Sequence, residues 1–143
     1  MSHTREDHLA VLKRAVELIN SGDAQGGVRV LFAEDAVDHD LAPGQGPGRQ
    51  GLLEFFGALT AGFPDLRLVP RHISADEEHV SMAFTVSGTH GGEFNGIAPT
   101  GRHFEVSGVE IFRFAAGQAV ERWGLIDDFG ILTQLGLVPE PQH

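Results

Sequence analysis

The chain has 143 residues, enough for one domain with a substantial core. Twenty acidic residues against ten basic ones give a formal charge of −10, with no basic stripe to follow a phosphate backbone, so nucleic acid is not expected as a partner. Cysteine is absent, which excludes disulfides, thiolate metal sites and a cysteine nucleophile.

Mean hydropathy is −0.06, and the longest apolar runs are a few residues, far short of a membrane span. The start, "MSHTREDH", is charged and lacks the apolar core of a signal peptide, so a cytoplasmic location is expected. There is no tyrosine to serve as a phenolic oxyanion donor. The single lysine, Lys13, falls in the first helical pattern near the surface, which argues against Schiff-base chemistry. Eight histidines occur without tight ligand spacing, so no metal site is read. The glycines of "GQGPG" lack the lysine of a phosphate loop, and no Gly-x-Ser-x-Gly elbow is present.

Thr4 to Asp7 opens as a capping box with aspartate in the usual glutamate place. Leu9, Leu12, Val16 and Ile19 follow at helical spacing until Gly22. A short second helix is predicted from Ala24 to Ala33, weakened by Gly26 and Gly27. The stretch "AVDHD" (36–40) reads as extended, and "APGQGPG" (42–48) as a loop. A third helix follows, with Leu52, Phe55, Phe56, Leu59 and Phe63 as its buried stripe and Pro64 as its stop.

The apolar period then changes to two. Residues 66–75, 79–90, 102–114 and 119–126 read as strands, and about 128 to 135 as a final short helix. Helices followed by antiparallel strands imply an α+β fold. Three N-terminal helices on one face of a curled sheet would enclose a conical pocket.

"FAEDAVDHD", "PGQGPGRQGL", "FPDLRL", "SGTHGGEFNGIAPTGRHFEVSGVEIFRF" and "VERWGLIDDFGILTQLG" together resemble the SnoaL-like polyketide cyclases of the NTF2-like superfamily. The likeness runs from about residue 6 to 138, as one domain filling 1–143. It implies an NTF2-like cone, with N-terminal helices on a strongly curved, mostly antiparallel sheet around an internal pocket. It also implies intramolecular aldol closure of an aromatic polyketide, with no cofactor and no metal. The family's acid/base aspartate stands four residues after a tryptophan, which here makes Trp123 point to Asp127. By spacing alone, capping of the last helix and catalysis both stay open for Asp127, while Asp128 is read as a cap or first-turn acid.

An aldol closure needs a carbon acid deprotonated and a carbonyl oxygen protonated. One carboxyl with a raised pKa can serve both steps. Asp127 is therefore expected inside the cone, raised by desolvation, with Asp128 partly solvated and ordinary. Period two from Glu121 through Trp123 and Leu125 sets Asp127 on the tryptophan's face. Trp123, Phe84, Phe94 and Ile97 are expected as pocket walls. His39 either orients substrate or is a loop histidine satisfied by Asp38 or Asp40. His90 ends the Met82, Phe84, Val86 and Gly88 set and is read as pointing inward. His103 and Glu105 are read as facing out. Glu110 shares parity with Phe104, Val106 and Phe112, so it falls on the apolar face and needs a partner such as Arg122 or a histidine.

The expected ligand is a hydrophobic small molecule, with no membrane partner and with self-association into a homo-oligomer. Two rivals stand beside the cyclase. One is an isomerase or hydrolase using the same pocket, with a tyrosine-dependent steroid-isomerase mechanism disfavoured. The other is a noncatalytic module that only binds a small molecule, which a solvated, cap-bonded Asp127 would favour.

Overall fold

The structure, a computed structural model, describes residues 3–139. Its elements are α1 (Arg5–Asn20), α2 (Ala24–Leu31), β1 (Phe32–Asp38), α3 (Gly48–Gly62), β2 (Arg67–Ala75), β3 (His79–Thr89), β4 (His103–Ala115), β5 (Gln118–Ile126) and α4 (Asp128–Gln134). The five strands form one sheet in the order β1-β5-β4-β3-β2. Only the β1–β5 pair is parallel. The sheet is curled but not closed, and the helices cover one face, so the α+β NTF2-like cone is what the chain forms.

The capping box opens α1 as its residues predict. Asp7 N–H donates to Thr4 Oγ1, and Thr4 N–H donates to Asp7 Oδ2 at 2.8 Å. The Thr4 backbone bond holds the Asp7 carboxyl below its usual value. The glycines that weaken α2 have a packing purpose. A Cβ at Gly27 would lie 2.8 Å from the Ala15 carbonyl oxygen, so glycine lets α2 settle on α1. That helix ends at Leu31 rather than Ala33, because Phe32 is already extended and pairs with Ala119 of β5. Strand pairing outweighs local helix preference at this junction.

In α3 the predicted stripe is only partly right. Leu52 and Leu53 are buried and Phe63 is fully enclosed, while Phe56 and Leu59 are half-buried against the core. Phe55 lies outside that cluster, edge-on to Phe56 with ring centroids 5.6 Å apart. Phe63 closes the helix by turning its ring toward Phe104, Phe94 and His90, at centroid distances of 4.9, 5.2 and 5.4 Å.

Along β3 every second residue is buried, and along β4 likewise except at the half-buried Glu110. Val80, Met82, Phe84 and Val86 on one strand meet Phe104, Val106, Phe112 and Phe114 on the other. The pairing runs unbroken through Phe84↔Gly108, so Gly108 marks no bulge. A Cβ there would fall 2.5 Å from Phe84 Cζ, and the glycine makes room for that ring. Among the described residues no helix is long and apolar enough to cross a membrane.

Truncating Phe63 to alanine removes the ring on which three others converge. The variant is expected to lose about 3–5 kcal/mol of stability, measured by denaturant unfolding, with Phe55→Ala losing far less.

Candidate functional site

The faces of β5 decide where the site residues go. Phe112 pairs with Arg122, Glu110 with Gly124 and Gly108 with Ile126. Those β5 residues therefore share the face that carries the buried side chains of β4. Glu121, Trp123 and Leu125 take the opposite, outer face, and Asp127 follows them there. Trp123 and Asp127 do stand on one side as their spacing predicts, but that side is outside the cone.

Inside, Arg122 holds a three-charge cluster. Its Nε donates to Glu110 Oε2 at 2.7 Å, and its Nη1 to Asp38 Oδ1 at 3.0 Å. The Asp38 side chain is 2% exposed, Glu110 12% and Arg122 19%. Asp38 is further bonded by Gln45 Nε2 at 3.1 Å and the Asp40 N–H at 3.0 Å. Burial pulls the guanidinium toward deprotonation, but the two carboxylates outweigh it and raise its pKa above the usual value. Gly124 permits this arrangement, since a Cβ there would lie 2.6 Å from Arg122 Nη2. Glu110 thus faces the apolar side and finds Arg122, one of its two foreseen partners. The neighbouring internal cavity measures about 20 Å³, room for one water rather than a ligand.

A larger cleft of about 480 Å³ opens on the outer side of the sheet. Arg71, Ala83, Phe84, Ser107, Gly108, Val109, Leu125, Ile126 and Asp127 line it. Asp127 is exposed and caps α4, with Oδ1 accepting from the Gly130 N–H at 2.8 Å. Its own N–H donates to the Ser107 carbonyl at 3.2 Å, which ties the cap to β4. The expectation of a buried Asp127 is corrected by this geometry. The last helix begins one residue after β5 leaves the sheet, and its open N–H groups draw the side chain outward. The expectation for Asp128 is corrected too: desolvation, then the Asp127 charge, raises its carboxyl above the ordinary value.

The remaining candidates lie in two other places. On the outer face, His39 stacks on Trp123 with centroids 4.8 Å apart and an angle of 12°. Its Nε2 also meets Glu121 Oε2 at 2.8 Å, so neither Asp38 nor Asp40 satisfies this ring. His90 is buried beneath the loop of residues 91–101, where its Nδ1 accepts the Thr100 N–H at 3.2 Å. Its Nε2 has no partner among the described residues. Phe94 bridges to Ile97 through the backbone and rests on Phe63, so both help to seat that loop. His103 and Glu105 face out. One predicted pocket thus resolves into an inner charge cluster, an outer cleft and a pinned loop.

Sequence reasoning passed over Asp38 as anything but a partner of His39, and over Arg71 and Ser107 altogether. Parity with the buried Ala36 was the available signal for Asp38. Nothing local marks Arg71 or Ser107, which line one cleft with Asp127 only in the folded sheet.

A family model for SnoaL-like polyketide cyclases matches residues 9–135. Among solved structures, IdmH, a candidate polyketide cyclase from Streptomyces antibioticus, is 35% identical with a TM-score of 0.75, over 94% of this chain and 99% of that one. AclR, a candidate hydroxylase from Streptomyces galilaeus, is 28% identical with a TM-score of 0.84, over 97% and 87% of the two chains. A SnoaL-like protein from Jannaschia sp. CCS1, 20% identical with a TM-score of 0.80 over 97% and 98%, shares the fold. No curated protein matches the chain in sequence.

Removing Arg122 strands two carboxylates on the apolar side. Arg122→Met is expected to cost about 3–5 kcal/mol in unfolding free energy at neutral pH. The deficit should shrink in acid, where the carboxylates take up protons, and urea unfolding at both pH values measures it.

Proposed function

The chain belongs to the SnoaL-like polyketide cyclase family, and we propose that it is a cofactor-independent acid/base enzyme that closes a ring in a polyketide-like compound by intramolecular aldol condensation. The observation that carries this function is an ionisable side chain, Asp127, in the wall of a mainly apolar cleft of about 480 Å³. That volume falls in the range of small-molecule sites.

The Gly130 N–H occupies one oxygen of Asp127. The other oxygen takes a proton from the carbon between two carbonyls. The enolate attacks a third carbonyl of the same molecule, a C–C bond forms, and Asp127 returns the proton to the new alkoxide. Phe84, Val109, Leu125 and Ile126 supply apolar contact, and the Arg71 guanidinium supplies positive charge for the enolate oxygen. Asp128, with its raised proton affinity, serves as a reserve donor beside the cap. In this scheme Trp123 and His39 brace the strand leading to Asp127, and Glu110 holds Arg122. His90, Phe94 and Ile97 keep the 91–101 loop in place.

Asp127→Asn tests the scheme cleanly, because asparagine also caps helices. Turnover of a responsive diketone or polyketide is expected to fall by about 10²–10⁴-fold with thermal melting unchanged. Full activity in that variant would overturn the acid/base assignment. The exposure of Asp127 favours a second function, a noncatalytic binding module. In that case no carbonyl compound turns over, and hydrophobic ligands bind equally to both forms.

Self-association belongs to the same proposal. Val37 and Ile111, which do not line the cleft, are 51% and 41% exposed on the outer face. A second copy laid there would take this apolar surface out of water. Light scattering at micromolar concentration is expected to show a mass above the 15.4 kDa of one chain, and Ile111→Glu to lower it.

A further inference from the structure

Residues 38–40 grip β5 three times in succession, alternating between the faces of the sheet. Asp38 reaches inward to Arg122 at 3.0 Å. His39 reaches outward, stacking on Trp123 and meeting Glu121 at 2.8 Å. Asp40 Oδ2 accepts the Gly124 N–H at 2.9 Å. The His39 N–H donates to the Arg122 carbonyl at 2.9 Å. Four consecutive residues of β5, from Glu121 to Gly124, are held by three residues at the end of β1. Earlier in β1 the pairing with β5 is irregular, with a register shift between the pairs Phe32↔Ala119 and Val37↔Glu121.

Only one of these grips contains a group that ordinarily changes charge between about pH 5 and 8, the imidazole of His39. Glu121 stays ionised over that range, because hydrogen bonds from His39 and then Arg113 hold its carboxyl below the usual value. From β5, Glu121 and the Trp123 indole face His39, and from β4 comes Arg113, which shares the Glu121 carboxylate. On its own segment, Asp38 turns inward to Arg122 and Asp40 is engaged by Gly124. A neutral ring makes one hydrogen bond and a stack. A protonated ring adds an ion pair with Glu121 and a cation–π contact with Trp123, opposed by Arg113.

We propose that His39 is a positioning residue that makes this clamp pH-graded. Its protonated ring locks the end of β1 onto β5, holding Arg122 and the strand that leads to Asp127, and its neutral ring relaxes that hold. The consequence for Asp127 rests on the acid/base function proposed above. The clamp itself does not.

Trp123 is the only tryptophan, so its emission reports the stacked ring directly. The full chain is titrated from about pH 8 to 5 by fluorescence, the range in which imidazole ordinarily titrates. Amide exchange at Gly124 and His39 is followed in parallel and corrected for intrinsic rates. Emission is expected to change in one sigmoid, with protection of both amides rising roughly five- to tenfold toward acid. In His39→Asn both readouts should be flat. Glu121→Gln should keep the emission change while losing most of the gain in protection. A flat wild-type emission curve, protection indifferent to pH, or a transition surviving in His39→Asn would overturn the proposal. Neither readout uses turnover, so failure of the clamp is told apart from failure of the acid/base function.

Discussion

Arg122 carries a charge into the apolar side of a sheet, where an unpaired ion is untenable. Two carboxylates from different parts of the chain meet it there, Glu110 from the neighbouring strand and Asp38 from the edge strand. Once Arg122 points inward, alternation leaves no freedom for the rest of β5. Trp123 and Leu125 must turn outward, and Asp127 leaves the strand on their side. The same pairing draws the end of β1 onto the sheet edge as a parallel partner, although β1 follows directly from a helix. The cluster thus sets the direction of the candidate catalytic residue without touching it.

Small residues make the arrangement possible at the points of closest approach. Gly124 leaves space for the guanidinium above it, and Gly108 for the ring of Phe84. The latter gap lets an inward aromatic residue contribute to a cleft that opens outward. A methyl group at either position would push on a side chain already confined by its neighbours. A buried ion pair is seldom a source of net stability.

At the far end of the sheet, aromatic packing performs a similar ordering role. Phe63 gathers His90, Phe94 and Phe104, and so ties the end of α3 to the loop between β3 and β4. The backbone helps, because the N–H groups of Gly91 and Gly92 both donate to the Gly62 carbonyl at 3.1 Å. Phe63, His90 and Phe104 are fully buried there, which suits a structural anchor. The outer cleft, lined by the exposed Val109, Leu125 and Asp127, is where a ligand of ordinary size finds room.

The amino-acid sequence by itself determined the element types, the capping box at Thr4 and Asp7, the alternation of β3 and β4, and the grouping of Trp123 with Asp127. These depend on neighbours within a few residues, where period and capping chemistry are direct. It also determined that Glu110 would need a partner, since a lone carboxylate among phenylalanines has no other stable state. Which face of β5 looked inward was left to the tertiary structure. Tryptophan is the more apolar choice for an interior, and period alone made either side available. The inward choice went to Arg122 because Asp38, 84 residues away in sequence, arrives beside it only when β1 pairs with β5. The cleft formed by Arg71, Ser107 and Asp127 has the same origin. Its members come from three separate segments, and only the registers of the folded sheet bring them together.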